Sequence, residues 1–181
     1  MFHAKQFAYL QRAGVNCPPR FILICSNDYN KINGDKKMII AIACDHAGYN
    51  LKEKVREHLE KNNIKYIDFG AYDTRASEYY EYAHKVCEGI NSGEADCGIL
   101  FCGSGIGMAM AANKHKNIRA ACCSDTYSAR MTRKHNDANV LTMGERVTGF
   151  GLALDIVRSF LETEFEGSRH QARVDALNNL L

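Results

Sequence analysis

The run Cys102-Gly103-Ser104-Gly105-Ile106-Gly107 has the clearest chemical potential in the sequence, because it places a thiol directly before three glycines in five residues. Such glycines let the backbone curl until successive N–H groups point into one concavity, which can hold a phosphate or the oxyanion of an enediolate. The amides at the start of a helix also favour a thiolate, so Cys102 is a candidate base or nucleophile. From position alone, a buried core cysteine explains Cys102 equally well.

A dinucleotide-binding loop is the main alternative for the same run, since Asp125 follows a predicted strand about 20 residues later, as that fingerprint requires. The spacing, however, is G-x-G-x-G, and Met108 stands where the last glycine of G-x-G-x-x-G should fall. The run also follows the third predicted strand rather than the first. The sequence therefore disfavours a nucleotide cofactor, and it contains no G-x-x-x-x-G-K-[ST] phosphate loop.

Two histidine-containing segments stand at predicted element ends. His135-Asn136-Asp137 follows a helix, where a histidine can act as a general acid or merely cap the helix. Asp45-His46 follows the first strand, where Asp45 alone would be explained as a helix cap. Four other histidines lack such a placement and are interpreted as surface or packing residues: His3, His58, His84 and His115.

Three arginines form a possible phosphate clamp, because guanidinium forks match phosphate oxygens in bidentate geometry. They are Arg146, Arg169 and Arg173. Individually each is more simply explained as surface charge. Together with His46 and a glycine-rich nest, the clamp becomes the better interpretation.

Hydrophobic periodicity predicts the scaffold that positions these residues. Apolar runs alternate with segments of three-and-four spacing, which is typical of βαβ units. The predicted strands are 38–44, 64–69, 97–102, 118–123 and 138–143. The expected fold is α/β: a single Rossmann-like three-layer domain over 38–181 with a five-stranded parallel sheet and a C-terminal helical arm, 167–181. Ligands are expected in the turns after strands one, three and five.

Composition narrows the function further. The chain carries 23 basic and 21 acidic residues, so no broad field would attract nucleic acid or a membrane surface. Its eight cysteines include no Cys-x-x-Cys pair, which predicts reduced thiols in a cytoplasmic protein without a structural zinc site. Residues 1–37 are expected to be a disordered N-terminal extension.

The order of the motifs resembles one family, the type B ribose-5-phosphate isomerases, which also includes galactose-6-phosphate and allose-6-phosphate isomerases. The motifs are Ala43–Gly48, Cys102–Gly107, Ala112–Lys114, Ile118–Ala121, His135–Leu141, Gly144–Arg146 and Phe165–His170. The likeness covers about 38 to 178. Ser168 departs from it, since a second glycine is common there, and so does the tyrosine-rich segment 78–82.

The resemblance implies interconversion of ribose 5-phosphate and ribulose 5-phosphate without a cofactor or metal. Cys102 matches the proton-abstracting base, His135 the acid that helps open the furanose ring, and Ser104 a hydroxyl that contacts the sugar. The implied substrate-binding residues are Asp45, His46, Gly103, Gly105, Ile106, Gly107, Asn136, Arg146, Arg169 and Arg173. The expected assembly is a homodimer with sites shared between subunits, or a tetramer. A six-carbon substrate and a non-catalytic phosphosugar-binding module remain as alternatives.

Overall fold

The computed structural model describes residues 38–180; the predicted extension 1–37 and Leu181 lie outside the described residues. Five strands alternate with helices along this part of the chain. The strands are β1 Ile39–Cys44, β2 Lys65–Asp68, β3 Cys97–Cys102, β4 Ala120–Cys122 and β5 Val140–Gly144. The helices are α1 Tyr49–Lys61, α2 Tyr79–Asn91, α3 Ile106–Ala112, α4 Thr126–Asn136, α5 Phe150–Leu161 and α6 Gln171–Asn178, and a 3-10 turn, Ser168–His170, leads into α6.

All strand pairs are parallel, in the order β2-β1-β3-β5-β4, which confirms the predicted α/β fold. Strands β3 and β5 are buried along their whole length. Their continuous apolar sequences are those of parallel strands covered by helices on both faces. The sequence predicted the five units but not this order, in which β1, β3 and β5 are neighbours. That order brings the three turns predicted to bind ligand side by side.

The apolar helix stripes face the sheet as the periodicity predicted. On α1, Leu51, Val55 and Leu59 are buried, and α5 buries a matching row over 153–160. On α6 the predicted stripe is only partly covered: Val174 is 3% exposed whereas Leu177 is 47% exposed. Among the helices within 38–180, none is both long and apolar enough to cross a membrane.

Strand β4 is shorter than predicted, three residues instead of the six expected over 118–123. The amide of Arg119 donates to the side-chain Oδ1 of Asn139, at 2.8 Å, instead of to a neighbouring strand. This side chain therefore replaces a ladder bond at the start of β4. Its neighbour Ile118 is buried without being part of the strand.

Candidate active site

The glycine-rich turn between β3 and α3 is held tightly against β5. Gly105 adopts φ +81° as the residue before α3, and its carbonyl accepts a hydrogen bond from the buried hydroxyl of Thr142 at 2.8 Å. A Cβ added to Gly144 would lie 2.5 Å from the carbonyl carbon of Ser104. The two backbones approach this closely only because position 144 is glycine. The turn is therefore fixed by its neighbour strand before any ligand binds.

Replacing Gly105 by alanine should destabilise the protein more than the backbone angle alone explains. Gly93 has nearly the same φ, +78°, but open space around it, whereas a Cβ on Gly105 would lie 2.8 Å from the Met143 carbonyl carbon. We expect Gly93→Ala to cost about 1 kcal/mol of unfolding free energy through its left-handed conformation. Gly105→Ala should cost roughly 1–3 kcal/mol more through overlap. Urea unfolding of both variants measures the difference, and equal losses would exclude a tightly packed turn.

Cys102 ends β3 inside this turn. Its side chain is 5% exposed in the described chain, and its Sγ accepts a hydrogen bond from the amide of Gly105 at 3.0 Å. In contrast, Cys97 at the opposite end of β3 has its pKa raised to about 12 by burial, so it stays protonated at neutral pH. Position in the turn, rather than residue type, thus distinguishes Cys102 from a core cysteine.

The hydroxyl of Ser104 lies at the exposed rim of the same turn. It accepts a hydrogen bond from the amide of Ile106 at 3.3 Å, and the Ser104 side chain is open to solvent. Gly103 and Gly107 are partly exposed beside it. Backbone amides, a hydroxyl and a sulfur therefore lie close together in one turn.

The turn after β1 brings Asp45 and His46 to the same edge of the sheet. The Asp45 Oδ1 accepts hydrogen bonds from the amides of Ala47 at 2.8 Å and Gly48 at 3.1 Å, so this residue does cap the turn. His46 is exposed, and its Nδ1 accepts from the amide of Ser77 at 3.3 Å. The proton of the neutral ring is therefore on Nε2, which is available as a donor to an anion.

Arg146 lies in the turn after β5, beside Gly103 of the 102–107 turn. Its amide donates to the carbonyl of Gly103 at 3.1 Å, and its guanidinium carbon lies 3.6 Å from the position of a Cβ on Gly103. The preceding residue, Glu145, accepts from the Leu51 amide and the Asn50 side chain, both at 2.9 Å. This carboxylate ties the turn after β5 to the first turn of α1. Together with His46, Arg146 makes this edge suitable for a phosphate.

His135 lies in the last turn of α4. It belongs to a second group of side chains, near the C-terminal arm. Its ring stacks on that of His170, with centroids 4.3 Å apart, and the Nε2 atoms of both lie 3.9 Å from Oε2 of Glu166. An ion pair with Lys134, at 3.2 Å, lowers the pKa of Glu166. Burial, followed by the charges of His135 and nearby arginines, lowers the pKa of His170.

Arg169 and Arg173 accompany this second group, since Arg169 Nε lies 3.4 Å from the His170 ring and both arginines are exposed. Ser168, before Arg169, adopts φ +50°, a region that favours the glycine common in the family. Asn136 borders a cleft of about 440 Å³ together with Arg119 and Asn178. Arg119 closes part of this cleft by donating to the Asn136 carbonyl at 3.1 Å.

The two groups lie at opposite edges of the sheet in one chain. Asn139, just after the His135 segment, accepts from the Gly98 amide at the start of β3, whereas Cys102 pairs with Gly144 at the other end. Four residues of strand separate these positions, roughly 13 Å at the usual rise. We define the carboxyl-edge group as Asp45, His46, the 102–107 turn and Arg146, and the amino-edge group as His135, Asn136, Arg169 and Arg173. One chain does not bring the two groups together.

Four residues that position these side chains have no role predicted from the sequence: Ser77, Glu145, Glu166 and His170. Ser77 and Glu145 act across loops, 31 and 94 residues from their partners. Such separations leave no periodic signal in a single sequence. Glu166 and His170 have a local signal, since they are four residues apart and flank the start of the predicted arm, 167–181.

Comparison with known proteins extends over almost the whole described chain. A family model described as Ribose/Galactose Isomerase matches residues 40–177. Ribose-5-phosphate isomerase B of Escherichia coli (strain K12) is 46% identical over 138 residues, which are 76% of this chain and 93% of that protein. The match therefore includes both the carboxyl-edge and the amino-edge residues.

Solved structures agree with this similarity. Ribose-5-phosphate isomerase B of Clostridium thermocellum has a TM-score of 0.78 and 48% identity, and the match covers 79% of this chain and 97% of that one.

A galactose-6-phosphate isomerase subunit of Clostridium acetobutylicum is 37% identical over 137 residues, 76% of this chain and 79% of that protein. Relatives named for a five-carbon and for a six-carbon sugar phosphate thus both resemble this chain.

Proposed function

Because the chain belongs to the ribose/galactose isomerase family and is a sugar-phosphate isomerase, we propose that it interconverts ribose 5-phosphate and ribulose 5-phosphate through an enediolate. The observation that carries this proposal is the Cys102 sulfur, which accepts a hydrogen bond from the Gly105 amide at 3.0 Å within the glycine-rich turn. A base and an oxyanion-binding site next to each other are what proton transfer next to a carbonyl requires.

The proton moves in two steps on the open-chain sugar. The Cys102 thiolate removes the proton from C2 of the aldose, the C2–H electron pair forms the C1–C2 double bond, and the C1 carbonyl oxygen becomes the oxyanion. The amides of the 103–107 turn stabilise that oxyanion, an effect often worth about 3 kcal/mol per donor. The thiol then returns a proton to C1, the O–H electron pair of the C2 hydroxyl forms the C2 carbonyl, and the proton of that hydroxyl passes to the C1 oxyanion, which gives the ketose.

Phosphate binding holds the open chain in reacting geometry. His46 Nε2 and the Arg146 guanidinium are the donors that the carboxyl-edge group offers to the phosphate. Arg169 and Arg173 carry exposed guanidinium groups in the amino-edge group. The phosphate is remote from C1 and C2. Its binding energy lowers the reaction barrier because it holds these two carbons against the base.

The separation of the two groups supports a homodimer with shared sites. The amino-edge group of one copy would supply His135 for ring opening, with Asn136, Arg169 and Arg173, to the carboxyl-edge group of the other. Closed two-fold symmetry then produces two equivalent sites. The exposed Ile106 and Met110 on α3, 57% and 65% exposed, support a second copy beside the 102–107 turn. A tetramer would be a dimer of such dimers.

We also propose a cytoplasmic location. The six cysteines within the described residues are all free thiols. Cysteine thiols remain reduced in the cytoplasm, where disulfides are rare.

A substrate panel tests the proposed function. We expect kcat/KM to be highest for ribose 5-phosphate and lower by about tenfold or more for allose 6-phosphate and galactose 6-phosphate, since a site fitted to five carbons discriminates against an extra carbon by roughly that factor. Preference for either hexose phosphate would replace the pentose assignment. Binding of all three without turnover would leave only a phosphosugar-binding module.

A further inference from the structure

Two histidines and a glutamate converge between α2 and the end of α3, outside both groups described above. They are His84, Glu88 and His115, and one potential ligand atom from each lies within 4.8 Å of the others. His84 Nδ1 and His115 Nε2 are 2.9 Å apart. From sequence, both histidines are predicted to be surface or packing residues, because neither stands at the end of a predicted element.

The backbone holds these three side chains in place. His84 and Glu88 are one turn apart on α2 and therefore share a face. His115 follows α3, whose last residue Ala112 accepts from the Cys87 thiol at 3.9 Å. The Asn91 side chain donates to the Lys116 carbonyl at 3.2 Å. The two helices are thus packed and bonded on either side of the cluster.

The ring of His115 is already oriented as a metal ligand. Its Nδ1 lies 3.2 Å from the carbonyl oxygen of Ala111 and 3.3 Å from that of Ala112, and carbonyls only accept hydrogen bonds. Nδ1 therefore carries the proton, and Nε2 of the neutral ring presents its lone pair to His84. A backbone carbonyl that accepts the other ring N–H is the usual support of a metal-bound histidine.

We propose that His84, Glu88 and His115 bind a divalent transition-metal ion of the zinc type, with water completing the coordination. Two imidazole nitrogens and one carboxylate suit zinc and its neighbours rather than magnesium or calcium, which prefer oxygen ligands. The ion takes the place of the hydrogen bond between the rings, so their nitrogens separate slightly from 2.9 Å. Lys114 and Lys116 flank His115, but both are exposed, so solvent screens their repulsion.

The role of this site is structural and distinct from the sugar chemistry. A Cβ added to Gly107 of the active-site turn would lie 3.3 Å from the ring of Tyr79, the first residue of α2, while His84 lies further along the same helix. A metal ion between α2 and the segment after α3 ties together α2, whose first residue lies beside the active-site turn, and α3, which begins in that turn. Because the ion binds only the folded protein, it raises thermal stability, and the rise grows with the logarithm of the free ion concentration above the dissociation constant.

Zinc titration of the full chain tests the site, with matched variants. We expect His84→Gln and His115→Gln to weaken the binding of one zinc equivalent by at least about tenfold and to abolish the zinc-dependent rise in Tm. The control His58→Gln removes a histidine from α1 and should leave both readouts unchanged. Far-ultraviolet circular dichroism confirms that each variant is folded.

Two other zinc-binding possibilities are separated by further measurements. His135, Glu166 and His170 form a second cluster of the same composition, so His135→Gln should retain the tight equivalent if our assignment is right. Cobalt substitution should show no thiolate charge-transfer band, which binding to the exposed Cys122 would produce. Wild-type zinc affinity in His84→Gln and His115→Gln, or loss of the equivalent only in His135→Gln, would overturn the proposal.

Discussion

Mixing two inactive variants, Cys102→Ala and His135→Ala, should restore about a quarter of the wild-type active sites if two copies share each site. Random pairing puts roughly half of the chains into mixed dimers, and each mixed dimer has one site with both changes and one with neither. The physical basis is the placement of the two side chains at opposite edges of the sheet. Co-expression followed by turnover assays measures the recovery.

The matched control for this experiment mixes Cys102→Ala with His46→Asn. Both residues belong to the carboxyl-edge group of one chain, so every site in a mixed dimer carries one of the two changes and no activity should return. Absence of recovery with the first pair would show that Cys102 and His135 do not act across a dimer. Equal recovery with both pairs would exclude the division into two groups.

Cys102→Ala should lower kcat by about 10²–10⁴-fold while ribose 5-phosphate still binds, because a general base contributes that much and the phosphate ligands remain. Cys97→Ala is the control: Cys97 lies on the same strand and is 6% exposed, compared with 5% for Cys102. We expect it to keep its turnover, since burial raises the pKa of Cys97 to about 12.

Calorimetric binding and initial-rate assays on both variants separate loss of chemistry from loss of the fold. Near-normal turnover by Cys102→Ala would remove this residue from the mechanism. Equal losses in both variants would point to damage in β3 rather than to a missing base.

Local sequence was sufficient to predict the strands and the active-site turn. The apolar run 97–102 and the three glycines after it predict a buried strand that ends in a glycine-rich turn before a helix, and the structure has both. These features depend on residues adjacent in the chain, so hydrophobic period and glycine geometry determine them.

The spatial arrangement of the turns could not be predicted from the sequence and is visible only in the structure. The order of the strands, and with it the proximity of Arg146 to Gly103, depends on packing between distant segments. Motif order alone treats His135 and Cys102 as parts of one site, whereas the parallel strand direction puts them at opposite edges. The contact between His84 and His115 arises in the same way, from the packing of α2 against the end of α3.

Deuterium incorporation during turnover measures the proposed cysteine-dependent proton transfer most directly. In D₂O, a thiol that exchanges its proton with solvent before returning it to C1 leaves deuterium at C1 of ribulose 5-phosphate, detectable by NMR. We predict deuterium at C1 with the wild type and with Cys97→Ala, and none above the enzyme-free rate with Cys102→Ala. Ribulose 5-phosphate formed by the wild type without deuterium at C1, or incorporation by Cys102→Ala at the wild-type rate, would contradict the mechanism.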